Sequence, residues 1–195
     1  GVQNDFSLEG TYNPEDSINT LDMKLAISEF RLEQWGVFVE KFVSDLSGNI
    51  QAEMDITGSI AKPVVEGYFA FDPQSVMRIN AIGSLYRMHD EKITFSESKI
   101  DLNNFIIFDS ANHELSIKGN ITHEYFQDFV LDLSVQTPEF KFFDAKEKYS
   151  PEYYGTVNAA TDISIKGPVE NLVVRGSVTT KEGTALVIAL VNDPD

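Results

Sequence analysis

The sequence predicts an all-β, mainly antiparallel fold whose sheet curls over its own apolar face. Three observations predict it. Apolar side chains fall at every second residue over most of the chain, which places them on one face of strands. Turn-forming clusters separate these runs. Glycines recur inside the runs, where a strand bends or another backbone comes close.

The runs are read in order. Phe6, Leu8 and Tyr12 bracket Gly10, then Leu21, Met23, Leu25 and Ile27 alternate, followed by Ile50, Ala52, Met54 and Ile56. Leu115, Ile117 and Ile121 surround Gly119, and Phe129, Leu131, Leu133 and Val135 come next. Val157, Ala159, Ile163 and Ile165 precede Leu172, Val174 and Val178, and Leu186, Ile188 and Leu190 close the series. The intervening positions are rich in Asp, Glu, Lys, Ser, Thr and Asn, the pattern of an antiparallel sheet with one wet side. Turn signals stand at Asn13–Asp16, Asp72–Pro73, His89–Lys92, Asp109–Asn112 and Lys181–Gly183. About a dozen strands are expected.

Two segments depart from the alternation. In 30–46, Leu32, Trp35, Val39, Phe42, Val43 and Leu46 fall at steps that predict an amphipathic helix ended by Gly48 and packed on the sheet as a cap. Segment 138–154 has no clean period and reads as a loop or short helix with aromatic anchors.

One phrase occurs twice. "GSIAKPVVEGYFAF" (58–71) and "IKGPVENLVVRGSV" (165–178) each carry two glycines nine residues apart. Gly58, Gly67, Gly119, Gly167 and Gly176 are therefore the expected strand-bend glycines, and the phrase reads as strand, bend, strand.

Bulk composition narrows the function. Of 195 residues, 42% are hydrophobic, enough for a sizeable core. A formal charge of −16 repels nucleic acid. No cysteine is present, so disulfides and thiolate metal sites are excluded. No apolar run approaches the ~18 residues of a membrane span. The chain reads as one β-groove segment over 1–195, a piece of a longer protein, with Gly1 as a cloning remnant.

No motif carries chemistry. The three histidines, His89, His113 and His123, lack metal-motif spacing. No nucleophile elbow or phosphate-binding glycine loop occurs. No enzyme activity, cofactor or metal is expected. The aromatics Phe140, Phe142, Phe143, Tyr149, Tyr153 and Tyr154 leave a sugar-binding platform on a β-sandwich as a weaker alternative.

The residues resemble a family. Gly48-Asn49-Ile50, Ile56-Thr57-Gly58, Pro63 and Gly67 stand in the order of the recurring glycine phrase of the TamB C-terminal region, within the AsmA-like group of bridge-like lipid transfer proteins. "LSIKGNITHEYFQDFVLDLSV" (115–135) and "YYGTVNAATDISIKGPVENLVVRGSVTTKEGTALVIAL" (153–190) are similar too, the latter to Bacteroidetes-type versions. The second phrase departs in carrying Leu172 where the first has Pro63. The resemblance implies a β-taco, a long sheet curled into an apolar groove. It implies a periplasmic protein with an inner-membrane anchor outside this chain, linked to phospholipid movement and to outer-membrane protein assembly with a barrel partner of the TamA type.

On that reading Ile50, Met54, Ile56, Ile117, Ile121, Leu131, Leu133, Ile163, Ile165, Leu172, Val174, Leu186 and Ile188 line a groove for phospholipid acyl chains. The alternative is that the same residues build the dry core of a closed sandwich or barrel. A scaffold that templates barrel strands by edge pairing is the second functional reading.

Overall fold

The computed structural model describes residues 5–16, 18 and 20–189. It is 67% strand, in one antiparallel sheet that does not close into a barrel. The strands are β1 (Asp5–Tyr12), β2 (Leu21–Arg31), β3 (Val43–Ser47), β4 (Asn49–Gly58), β5 (Pro63–Phe71), β6 (Val76–Ile79), β7 (Ser84–Met88) and β8 (Lys92–Ser96). After them come β9 (Lys99–Asp101), β10 (Phe105–Phe108), β11 (Glu114–Glu124), β12 (Gln127–Ala145), β13 (Tyr153–Pro168), β14 (Val173–Thr180) and β15 (Ala185–Ile188).

Their pairing reduces to a simple meander. β3 with β4, β5 with β6, β7 with β8, β9 with β10, and β14 with β15 are halves of interrupted rows. With β1, β2, β11, β12 and β13 standing alone, ten rows result, each antiparallel to the next in sequence. The connections alternate between two ends. Residues 13–16, 18 and 20, then 59–62, 97–98, 125–126 and 169–172, lie at one, here the tip end. Residues 32–42, 80–83, 109–113 and 146–152 lie at the other, the arm end.

The repeated phrase is a hairpin. In its first copy Gly58 (φ +86°) ends β4, and a Cβ there would sit 2.6 Å from the Lys62 carbonyl of the turn. Gly67 (φ +139°) lies opposite Met54, where a Cβ would strike the Glu53 carbonyl. The second copy repeats both contacts at the same offsets: Gly167 against Asn171, and Gly176 against Asp162 opposite Ile163. The first glycine of each pair therefore serves a turn, and the second a strand curved tightly onto its neighbour.

The expected helix over 30–46 does not form. Phe30 and Arg31 continue β2, a 3₁₀ turn covers Leu32–Trp35, one α-turn covers Gly36–Val39, and Val43–Ser47 is β3. Sheet pairing of Val43 with Ile79 wins over helix periodicity in a segment weakened by Gly36 and several β-branched residues. Gly48 is no helix stop; it joins β3 to β4 against Ser75. The α-turn buries none of its described side chains, so it is no cap on the sheet. Segment 138–154 is also corrected: its first eight residues extend β12, and Tyr153 begins β13.

The sheet is packed unevenly. The fully buried apolar residues, including Ile50, Tyr86, Met88, Phe105, Leu115 and Phe140, lie at the middle of their rows or toward the arm end. There the second half of β12 crosses the ends of rows 7, 6 and 5, and Phe140 packs with Tyr86 and Leu115. Toward the tip end the inner side chains stay half-exposed.

Candidate functional site

The register places one unbroken apolar line across the sheet. Leu8, Leu25, Met54, Gly67, Phe95, Ile100, Ile121, Leu131 and Gly167 are successive Cα partners across nine strands, and none is polar. At about 4.8 Å between strands the line is roughly 38 Å long. Parallel lines flank it: Phe6–Ile27–Ala52–Phe69–Ile93, Gly119–Leu133–Ile165–Val174 and Phe105–Ile117–Val135–Ile163–Gly176.

One residue along, the same strands present the opposite chemistry. Glu53, Tyr68, Thr94, Asp101, Asn120, Asp132 and Lys166 are partners in that order. Lys24 pairs with Asp55 at 3.6 Å and Lys166 with Asp132 at 2.8 Å, all more than half exposed. Such pairs keep this face wet and contribute little stability.

Twelve of the thirteen groove candidates fall on the apolar side of this register, and Leu172 lies in the turn before β14, outside the paired positions. Met54, Ile56, Ile117, Ile121, Leu131, Leu133, Ile163 and Ile165 are half-buried there. Ile50, at 8% exposure, belongs to the packed part. Val174, Leu186 and Ile188 on the last row and Leu172 just before it are exposed. Leu190 lies outside the described residues. Sequence reasoning did not assign Phe95, Ile93, Ile100 and Phe69 to this face. Alternation in β8 and β9 runs for only five and three residues, too short to stand out.

Both margins of the sheet expose apolar side chains. Phe6, Leu8 and Tyr12 on β1 are 54–59% exposed, and Val174 and Val178 on β14 exceed 60%. Among the described residues β1 pairs only with β2, and β14 and β15 pair only with β13, so each margin presents an unpaired backbone edge there. At the tip end the turns of rows 3–4 and 7–8 meet, with Lys62 Nζ 5.2 Å from the centre of the Tyr125 ring. That contact borders a cavity of about 550 Å³ lined by Ile18, Thr57, Lys62, Val64 and Tyr125.

Several polar groups have clear structural partners, although His123 Nε2 and Thr161 Oγ1 are buried without a hydrogen bond among the described residues. The buried Asp109 carboxylate accepts N–H bonds from Ala111, His113 and Lys141 at 2.7–2.9 Å, and its Oδ2 lies 3.0 Å from His113 Nδ1. His123 is buried at the β11–β12 tip, where Nδ1 accepts the Phe126 N–H at 3.1 Å. His89, Asp90 and Glu91 bring donor atoms within 4.8 Å in a surface turn, where the His89 ring pairs with both carboxylates. Of the six aromatics of the platform reading, Phe140 is buried and Phe142 packs against the same core, while Tyr149 and Tyr153 are exposed, Tyr153 beside Phe143. No described helix is long and apolar enough to cross a membrane.

An unclosed meander with one apolar and one charged face defines a trough-type β-sheet protein. Residues 103–192 match the family described as the TamB C-terminal domain, so a little under half of the chain is similar to that family. The match takes in β10 to β15; the first copy of the glycine phrase lies outside it. No curated protein and no solved structure matches the chain. TamB-type proteins belong to the cell envelope and to transport and assembly.

Proposed function

We propose that this chain is a section of a periplasmic, TamB-like conduit whose apolar face shelters phospholipid acyl chains between the inner and outer membranes. The observation that carries the reading is the polar-free line of partners from Leu8 to Gly167. Exposing a methylene to water costs about 0.8 kcal/mol, so a sixteen-carbon chain faces a barrier of roughly 12 kcal/mol in an aqueous gap. A continuous apolar face offsets most of that barrier, and its uniformity leaves no deep minimum in which a tail would stick. The headgroup stays in water at the open side, so no specific polar contact is required. The inner-membrane anchor and any link to barrel assembly belong to the parent protein.

Native mass spectrometry of the chain purified without detergent tests this. Retained phospholipid masses are expected; a preparation from lipid-rich cells that carries none overturns the reading.

The free edges of β1 and the last row favour a second reading, a scaffold on which strands of an outer-membrane barrel, or its TamA-type assembly partner, pair in transit. An isotope-labelled strand peptide protected from amide exchange on addition of the chain would support it.

A further inference from the structure

Along the strand direction the trough has a boundary inside the sheet, and one bulge sets it. β12 follows β11 as far as Gln136 and then continues along β13 alone. Between Thr137 and Phe140 its register with β13 shifts. Thr137 Oγ1 fixes this bulge, donating to the Glu139 carbonyl at 2.8 Å and accepting the Glu139 N–H at 3.1 Å. Strict alternation from Val135 and Thr137 would turn Glu139 inward. The bulge sets Phe140 opposite Ala159 instead, and the small alanine leaves room for the ring. Phe140 is 1% exposed, stacked on Tyr86 at 5.3 Å and 17°, with Phe142 edge-on at 5.1 Å.

The rest of the arm is fastened across rows 6 and 5. Lys141 N–H donates to Asp109, the Tyr86 hydroxyl donates to the Phe142 carbonyl at 3.2 Å, and Asp144 N–H donates to the Ile82 carbonyl at 3.0 Å.

We propose that Phe140, seated on Tyr86, is the stop of the trough and restricts a bound acyl chain to the tip-end part of the apolar face. This rests on the acyl-chain reading above. A tail lying on Met54, Ile121 and Leu131 meets half-exposed side chains along its length. A tail pushed toward the arm end meets two stacked rings with no space beside them. Phe140 is thus a residue that selects where on the apolar face a tail is accommodated.

The test uses a fatty acid carrying a photoreactive diazirine at its terminal carbon, followed by peptide mapping of the labelled chain. In the unmodified chain, adducts are expected on tip-end residues such as Met54, Ile121 and Leu131, and absent from Tyr86, Leu115 and Ile79. In Phe140→Ala a several-fold rise of adducts on Tyr86 and Leu115 is expected, with a smaller rise in Phe140→Leu, which retains more of the packing. Labelling of Tyr86 or Ile79 in the unmodified chain overturns the stop. So does a pattern unchanged in folded Phe140→Ala. Absence of adducts anywhere on the apolar face instead overturns the acyl-chain reading itself.

Discussion

Asp109 and Lys141, thirty-two residues apart, are joined by a 2.8 Å hydrogen bond from the Lys141 backbone N–H to a carboxylate with no exposed side-chain surface. Burial raises the carboxyl's pKa, but the N–H groups of His113, Lys141 and Ala111 outweigh burial and hold it below the ordinary range. A depressed native pKa means that the unfolded chain binds the proton more tightly. The stabilisation is therefore complete above the unfolded value of about 3.9 and is lost as pH falls through the native one. Asp109→Asn should lower stability at pH 7 by about 1–3 kcal/mol and flatten the acid limb of a urea-denaturation series.

His123 predicts a second pH effect, at milder acidity. Burial among Phe126 and Phe129 lowers its pKa, so the native ring stays neutral where the unfolded one would protonate. Stability is then full above about pH 6.5 and falls as pH drops toward the native value. Denaturation midpoints at pH 7.5 and pH 5.5 should differ in the native chain and converge in His123→Phe, which loses some stability at both.

The glycines separate by geometry. Gly67→Ala forces a Cβ onto the Glu53 carbonyl at a positive φ and should cost more than 2 kcal/mol or prevent folding. Gly36 has φ −47° and open space around its Cβ position, so Gly36→Ala should stabilise by about 0.5–1 kcal/mol. Thermal melts of the two variants should move in opposite directions.

A charge on the apolar face tests cargo. Leu133→Asp and Ile117→Asp, at half-buried positions, should reduce co-purified phospholipid several-fold while leaving the strand signal in circular dichroism. The outer-face variant Lys118→Asp should leave the lipid content unchanged. Equal retention in all three would remove these residues from the lining.

Most of the fold was legible because alternation is a property of the chain itself. In β4 every second residue is apolar, β11 and β13 break the alternation only at His123 and Thr161, and the register only had to preserve that parity. The arm was illegible for the same reason. Two bulges in β12 change parity at Thr137 and again at Lys141, so Phe140, Phe142 and Phe143 follow no single period. The segment around Val39 misled in the other direction, since Leu32, Val39 and Phe42 mimic a helical face. What decides there is the pairing of Val43 with Ile79, a contact between distant parts of the chain that no local pattern encodes. Asp109 could be read locally as a turn residue, but its bond to Lys141 could not.

Because every row leans only on the rows made just before and just after it, the order of synthesis can be the order of assembly. A chain delivered amino end first can lay down each strand on a finished template, never waiting for a distant partner. Exceptions are the contacts that skip rows, such as Lys62 on the Tyr125 ring and, fifty-five residues apart, the clasp between Tyr86 and Lys141. It closes only once rows five to eight are in place, so its formation reports that the intervening sheet has been built in register.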